Sequence, residues 1–228
     1  MQAHVALSSA ERLAYGARLS SGAAELALIL DQTQIAHLID YLELISKWNA
    51  VYNLTSVRDP GQMVTHHLLD SLAVVSAYMG ARQVLDVGAG AGLPGIVLAI
   101  WARCAQPAMR ITLIDTVHKK TAFLTQVKAE LGLTNVTVQT GRVEQLRVGT
   151  PFDVITSRAF AGLADFVNWS AHLLQPDGRF LALKGALPEA EMHCLPSAWA
   201  ITGILPLRVP GLDAARHLIT IQRQGALP

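Results

Sequence analysis

The stretch ARQVLDVGAGAGLPGIVLAIWAR, Ala81–Arg103, decides the fold. Its first part, QVLDV, is a short apolar run of the kind that forms a buried strand. Glycines at 88, 90, 92 and 95 then make a turn, and PGIVLAIWARC continues as a helix with Pro94 in its first turn, where a missing N–H is tolerated. A strand, glycine turn and helix in that order bring backbone close to a small ligand, because residues without a Cβ leave room. Two registers compete. Gly90-x-Gly92-x-x-Gly95 has the dinucleotide spacing, a weak signal alone. Gly88-x-Gly90-x-Gly92 instead fits a shorter turn that follows an acidic strand, with Asp86 as the acid.

Downstream of this unit the chain alternates. RITLIDT reads as a second strand, HKKTAFLTQVKAELG as a helix closed by Gly132, NVTVQTG as a third strand and FDVITSRAF as a fourth. LADFVNWSAHLL is a helix, QPDG a turn and RFLALKG a fifth strand, while AITGILPLRV and RHLITIQRQ add two more. Such βα repetition predicts an α/β, Rossmann-like, doubly wound and mostly parallel sheet of seven strands. Ligands of such sheets sit beyond the carboxyl ends of the strands. Upstream, residues 1–22 are small and Ser-rich and fit a loosely held helix or a disordered tail. From Leu26 the pattern turns helical, with Ile35, Leu38, Leu42, Ile45 and Trp48 on one face. Asp31 with Gln34 has the spacing of a capping box. A turn at Asp59-Pro60-Gly61 opens a second helix or helix pair reaching Gly80. The division predicted is therefore an N-terminal helical region, 1–80, and a Rossmann-like domain, 81–228.

Composition narrows the function classes. With 228 residues, 51% of them hydrophobic and 15% charged, the chain is globular. No run of about eighteen residues is free of polar interruption, so no membrane span is expected. The N-terminus lacks the apolar core of a secretory signal, so the expected place is the cytoplasm. Cys104 and Cys194 have no metal spacing and are expected to be reduced, mostly buried thiols. The net charge of +1 does not announce a nucleic-acid binder. Its distribution is uneven, with five Lys/Arg against eight Asp/Glu in residues 1–99 and thirteen against nine in 100–228. A modest basic face on the larger part follows.

Three features favour the acidic-strand register of the turn. Asp86 lies two residues before its first glycine, where a carboxylate is a poor neighbour for a pyrophosphate. Asp115, at the tip of the second strand in LIDT, can accept both hydroxyls of a ribose. Glu144, in the loop TGRVEQL after the third strand, can accept from an adenine amine. Acidic groups around a turn with no phosphate partner suit a positively charged nucleoside cofactor, S-adenosylmethionine. Gly88 and Gly92 are expected to bring the backbone against it.

The segments WNAVYNLTSVRDPGQMVTHHLLDSLAV, VLDVGAGAGLPGIVLAI, LIDTVHKKTAFLTQV, GRVEQL, FDVITSRAFAGL and GRFLALKG resemble the bacterial ribosomal small-subunit methyltransferase G family, formerly glucose-inhibited division protein B. The resemblance runs from Asp31 to Arg223 in the family's order. It implies a class I S-adenosylmethionine-dependent methyltransferase fold with a helical cap. It also implies methyl transfer to N7 of one guanosine in the decoding region of 16S rRNA, within the small ribosomal subunit or its assembly intermediate. By this resemblance the cofactor contacts are Gly88 and Leu93, Val143 and Glu144, and Arg158; Asp115 matches the family's acidic position, and Gly90 belongs to the same turn. One departure stands out: the family usually reads Arg-His before xxDS, and here the pair is His66-His67.

Guanine N7 carries a lone pair and no proton, so its methylation needs positioning rather than a proton acceptor. No catalytic residue is therefore assigned, and no Ser-His-Asp or Cys-His set is visible. Arg158, at the tip of strand four, would hold the cofactor carboxylate or an rRNA phosphate. His66, His67 and Asp70 share a helix face, but adjacent histidines diverge too far to make a metal pair. A His67–Asp70 hydrogen bond that pins the cap is the expectation. Lys119 and Lys120 open a helix and read as solvated surface or phosphate contacts. Trp48 belongs to the apolar stripe, and Tyr52 is a candidate stacking platform. The chain is expected to work as a monomer.

Overall fold

A computed structural model describes residues 6–225. Helix α1 (Ser9–Glu25) opens with a reciprocal capping box, in which the Ser8 side chain accepts from Glu11 N and the Glu11 carboxylate accepts from Ser8 N. Of the helix or tail expected over 1–22, the helix is the one found, capped at Ser8 and running on to Glu25, while residues 1–5 lie outside the described residues. Leu26–Leu30 is non-helical, so the helical pattern begins later than expected. Helix α2 (Gln32–Tyr52) starts at the Asp31/Gln34 capping box and ends at Asn53 in the left-handed region. Its Leu38, Leu42 and Ile45 are buried, as the stripe demands.

The next helical run opens as expected at Asp59, whose carboxylate accepts from Gln62 N. It is not uniform. Helix α3 (Pro60–Met63) passes into a π-helical stretch, Val64–Leu69, before α4 (Asp70–Leu72) and a 3₁₀ turn, Val75–Tyr78. The wider turn changes which side chains share a face, and it carries both His66 and His67.

Strands β1 (Gln83–Val87), β2 (Arg110–Asp115), β3 (Val136–Thr140), β4 (Phe152–Arg158), β5 (Leu174–Lys184), β6 (Trp199–Pro206) and β7 (His217–Arg223) form one sheet in the order β3-β2-β1-β4-β5-β7-β6. The first five are parallel, and β7 runs antiparallel to both β5 and β6. QPDG, expected as a turn, falls inside β5 at an irregular register between Phe152 and Val154 of the neighbouring strand.

Alternation along the strands divides the interior into two cores. Val84, Leu181, Leu183 and Leu218 face α5 (Gly95–Ala105), α6 (His118–Glu130) and the N-terminal helices. Leu85, Phe180, Ala182 and Ile219 face α7 (Leu163–Ser170), and Leu187 and Met192 around α8 (Glu189–His193) pack against the same core. The helical region thus shares one core with a face of the sheet. Buried polar bonds fasten it: Gln34 donates to the carbonyls of Ile100 and Trp101, Tyr41 to Ala91 O at 2.5 Å, and Tyr78 meets Thr156 Oγ1 at 2.7 Å. Cys104 and Cys194 are exposed rather than buried; the first lies in the last turn of α5 and the second just after α8. No helix among the described residues is long and apolar enough to cross a membrane.

Candidate active site

From β1 the chain steps outward to β2 and β3, then returns to place β4 on the other side of β1. The carboxyl ends of β1 and β4 therefore flank a crevice at the switch of direction, the usual ligand position in such sheets. A cavity of about 300 Å³ lies there. Val87 and Gly88 contribute from β1 and the turn after it, Ile114, Asp115 and Val117 from β2 and its loop, Val143 and Glu144 from the 3₁₀ turn after β3, and Phe160 and Trp169 from beyond β4. Apolar walls with two carboxylates suit a flat heteroaromatic ring that carries a diol. Lys120 and Arg142 also line it, so the rim is charge-balanced rather than anionic as the loop after the third strand suggested.

Asp115 is held in place by its own backbone surroundings. One oxygen accepts from Val117 N at 2.8 Å, the other from Gly90 N at 3.0 Å, and the Lys120 ammonium stands 3.7 Å from the latter. The carboxylate thereby ties the glycine turn to the loop after β2. Each oxygen still has lone-pair capacity for a hydroxyl donor.

The glycines divide by what lies where a side chain would be. Gly88 has φ +66°, and a Cβ there would stand 2.3 Å from Phe160 Cδ2, so glycine lets the phenylalanine close the cavity wall. Ala159, at φ +52°, makes the left-handed step that returns Phe160 toward it. Gly92 differs from expectation. At φ +91° its Cβ would meet Ile96 Cγ1 at 2.6 Å and Leu124 Cδ2 at 2.7 Å, so it faces the core and not a ligand.

Asp86 also has a different task from the one expected. It is fully buried in β1, and its Oδ2 accepts from Gly95 N, at the start of α5, at 2.9 Å. That helix N-terminus is where a dinucleotide fold would seat its pyrophosphate. Here a carboxyl group already fills the position. Burial, the largest cause, raises the Asp86 pKa to about 7, and its Oδ1 has no partner among the described residues. The donor set thus fits an adenosyl cofactor without phosphate.

A second cavity, of about 470 Å³, adjoins the first and shares Ala159 with it. Arg158, Lys184 and Arg216 line it together with Asp70, His66, His67 and His217. Asp70 receives Arg158 Nη1 at 2.9 Å on one oxygen and Arg216 Nε at 2.8 Å on the other. Arg158 also donates to the His66 carbonyl, and Lys184 pairs with Glu191 at 2.8 Å. Three of the cations of the C-terminal part thus meet in this cavity. His67 does not bond Asp70. Its Nε2 meets Thr55 Oγ1 at 2.9 Å, because the π-helical turn removes the face that an α-helix would have given the pair. Burial, then the nearby Arg158 charge, lowers the His67 pKa to about 4.

Of the residues singled out from sequence, Gly88, Asp115, Val143 and Glu144 line the first cavity. Gly90 takes part through its N–H to Asp115, and Leu93 is buried beneath the turn. Arg158 lines the second cavity. Sequence reasoning missed Phe160, Trp169, Lys184, Arg216 and His217. For the last two a signal existed: an antiparallel strand begins at the edge where parallel strands end, so the first residues of β7 join the ligand side. No group of three His, Cys, Asp or Glu that could hold a metal occurs among the described residues.

A family model described as rRNA small subunit methyltransferase G matches residues 34–219. The chain is 65% identical over 213 residues to the ribosomal RNA small subunit methyltransferase G of Herminiimonas arsenicoxydans, covering 93% of this chain and 98% of that protein. Identity to the protein of the same name from Janthinobacterium sp. (strain Marseille) is 62%, over 93% and 97%. Among solved structures, the N-methyltransferase NodS of Bradyrhizobium japonicum WM9, in complex with S-adenosyl-L-homocysteine, superposes with a TM-score of 0.54 at 12% identity, covering 78% of this chain and 98% of that one. TrmN of Thermus thermophilus gives 0.52 at 18%, over 70% and 53%. The seven-stranded sheet and its helices are those of the class I methyltransferase fold.

Proposed function

Because the chain belongs to the rRNA small subunit methyltransferase G family, we propose that it methylates N7 of a guanosine in 16S rRNA, acting in the cytoplasm as a monomer on the small ribosomal subunit or a late assembly intermediate. It is an enzyme, and S-adenosylmethionine is its methyl donor. The observation that carries the cofactor reading is the Asp86–Gly95 bond, which fills the pyrophosphate position and leaves a cavity shaped for adenosine. Asp115 would accept the ribose hydroxyls and Glu144 the adenine amine, with Phe160, Val143 and Ile114 against the ring. Gly88 and Gly90 would present backbone at the cavity's inner edge, with Leu93 supporting the turn from below.

Bound there, S-adenosylmethionine supplies an electrophilic methyl group that a lone pair on guanine N7 can take without releasing a proton. The chain's own work is then alignment and exclusion of water. The second cavity is the place for the target nucleotide: it adjoins the first and is lined by three cations against one carboxylate. Asp70 holds Arg158 and Arg216 in fixed orientation, and the guanidinium ends that remain can meet an RNA phosphate. Unpaired, accessible guanosine is required, since N7 lies on the Hoogsteen edge.

The test is methyl transfer from labelled S-adenosylmethionine to undermethylated small subunits, with the product mapped by mass spectrometry. One 7-methylguanosine in 16S rRNA is expected. A methylated exocyclic amine would overturn the N7 assignment, and no transfer to any rRNA would overturn the substrate.

A further inference from the structure

The last turn of α2 presents Tyr52 to solvent with 42% of its surface exposed. An exposed tyrosine on a folded enzyme needs nothing special, but this one is braced. Trp48 packs against it with ring centroids 5.0 Å apart and planes tilted by 39°, and Trp48 is itself held by Phe123 at 5.5 Å and by a bond from Nε1 to Gln126 Oε1 at 3.1 Å. The Lys119 ammonium stands over the Tyr52 ring, 5.7 Å from its centroid. Rigid aromatic, partner cation and open surface together make the kind of platform on which an unpaired base stacks.

Its position ties it to both cavities. Lys119 is followed by Lys120, which lines the first. Tyr52 is followed three residues later by Thr55, which lines the second; three residues span at most about 11 Å. The platform is thus one residue along the chain from a wall of the first cavity and three from a wall of the second, while Tyr52 and Lys119 themselves line neither.

We propose that Tyr52 and Lys119 form a separate RNA contact, in which the ring stacks on an unpaired base flanking the target guanosine and the ammonium takes that nucleotide's phosphate. The inference rests on the reading of the chain as an rRNA methyltransferase. Magnitudes favour the exchange. An exposed lysine over a ring is worth about two- to fivefold in affinity, whereas a stacked base is worth about five- to 150-fold. A base thus displaces the ammonium, which then gains a phosphate.

Steady-state methyl transfer to undermethylated small subunits tests it with three variants, Tyr52→Phe, Tyr52→Leu and Lys119→Gln. Leucine keeps bulk against Trp48 but has no π face, so Tyr52→Leu should raise the KM for subunits about tenfold and leave the KM for S-adenosylmethionine unchanged. Tyr52→Phe should stay within about twofold of the parent. Lys119→Gln should make the salt dependence of subunit KM shallower by a slope of about 0.7. A subunit KM in Tyr52→Leu within twofold of the parent overturns the proposal, as does an equal rise in both KM values, which marks a structural role. An unchanged salt slope in Lys119→Gln, a surface variant that cannot be excused by misfolding, overturns it as well. If the unaltered protein methylates no rRNA, the substrate reading fails first and takes this proposal with it.

Discussion

Asp70 and Arg158 are joined at 2.9 Å across the seam between the helical region and the end of β4, and Arg216 of the β7 approach completes the set on the other Asp70 oxygen. One nearly buried carboxylate thus orients two cations that come from distant parts of the chain. Asp70→Ala leaves both unpaired. The two arginines keep 21% and 25% of their side-chain surface in water, so the loss should fall below that of a fully buried pair, at about 2 kcal/mol. Urea denaturation measures it; a variant as stable as the parent would show that the seam holds without this carboxylate.

Two glycines of the turn should respond in opposite ways. Gly92→Val drives a branched side chain into Ile96 and Leu124 from a backbone at φ +91°, combining overpacking with left-handed strain, so a loss of about 3 kcal/mol or more is expected. Gly90→Ala meets only Gly88 O at 3.7 Å and should lose about 1–2 kcal/mol, from φ alone. Equal denaturation midpoints for the two would contradict this division of the turn.

Asp86 and His67 bend the pH dependence of stability in opposing directions. The Asp86 pKa is raised from 3.8 to about 7 on folding. Its contribution is fully present below about pH 4 and is lost as pH rises to 7, because the native state alone keeps the proton in that window. The His67 pKa is lowered from 6.5 to about 4, so its contribution is present above 6.5 and lost as pH falls to 4. The windows overlap and largely cancel. In Asp86→Asn, stability should climb from pH 4 to 6.5; in His67→Gln it should decline from pH 4 to 7. Parallel pH profiles for both variants would show that one of these groups titrates elsewhere.

The chemical step itself should be nearly indifferent to pH. Single-turnover transfer is expected to be flat between about pH 6.5 and 9, since an N7 nucleophile needs no general base, a contribution otherwise worth about 10²–10⁴-fold. His67, neutral down to about pH 4, cannot produce a fall between pH 5 and 7. A step near pH 7 that persists in Asp86→Asn would reveal a proton acceptor and point to an exocyclic amine as the target.

What could be read from the residues had local causes. The Asp31/Gln34 capping box, the helix ended by Gly132 and the strand-ending Asp115 depend on neighbours a few positions away. The same signature, Ser8-x-x-Glu11, was there to mark α1 but sits in a small-residue stretch whose helical face is weak. What could not be read depends on distant partners. The π-helical turn at Val64–Leu69 leaves no periodic trace, and it decides that His67 turns to Thr55. Spacing places Gly92 in the turn, yet only packing shows that a side chain there would strike Ile96 and Leu124. Arg158 could be placed at a strand tip, but its pairing with Asp70 comes from the fold of two segments 88 residues apart.

The core shared by the helical region and the sheet sets the order in which this protein can be completed during synthesis. Helix α2 leaves the ribosome about a hundred residues before β4. At about 5–20 residues per second that interval is on the order of 5–20 s. Helix α5 follows about fifty residues behind α2 and β4 about a hundred, so Leu38, Leu42 and Ile45 are covered only in stages during it. The nascent chain therefore carries an uncovered apolar face for seconds, a surface that chaperones or proteases can meet before the enzyme has assembled its cavities.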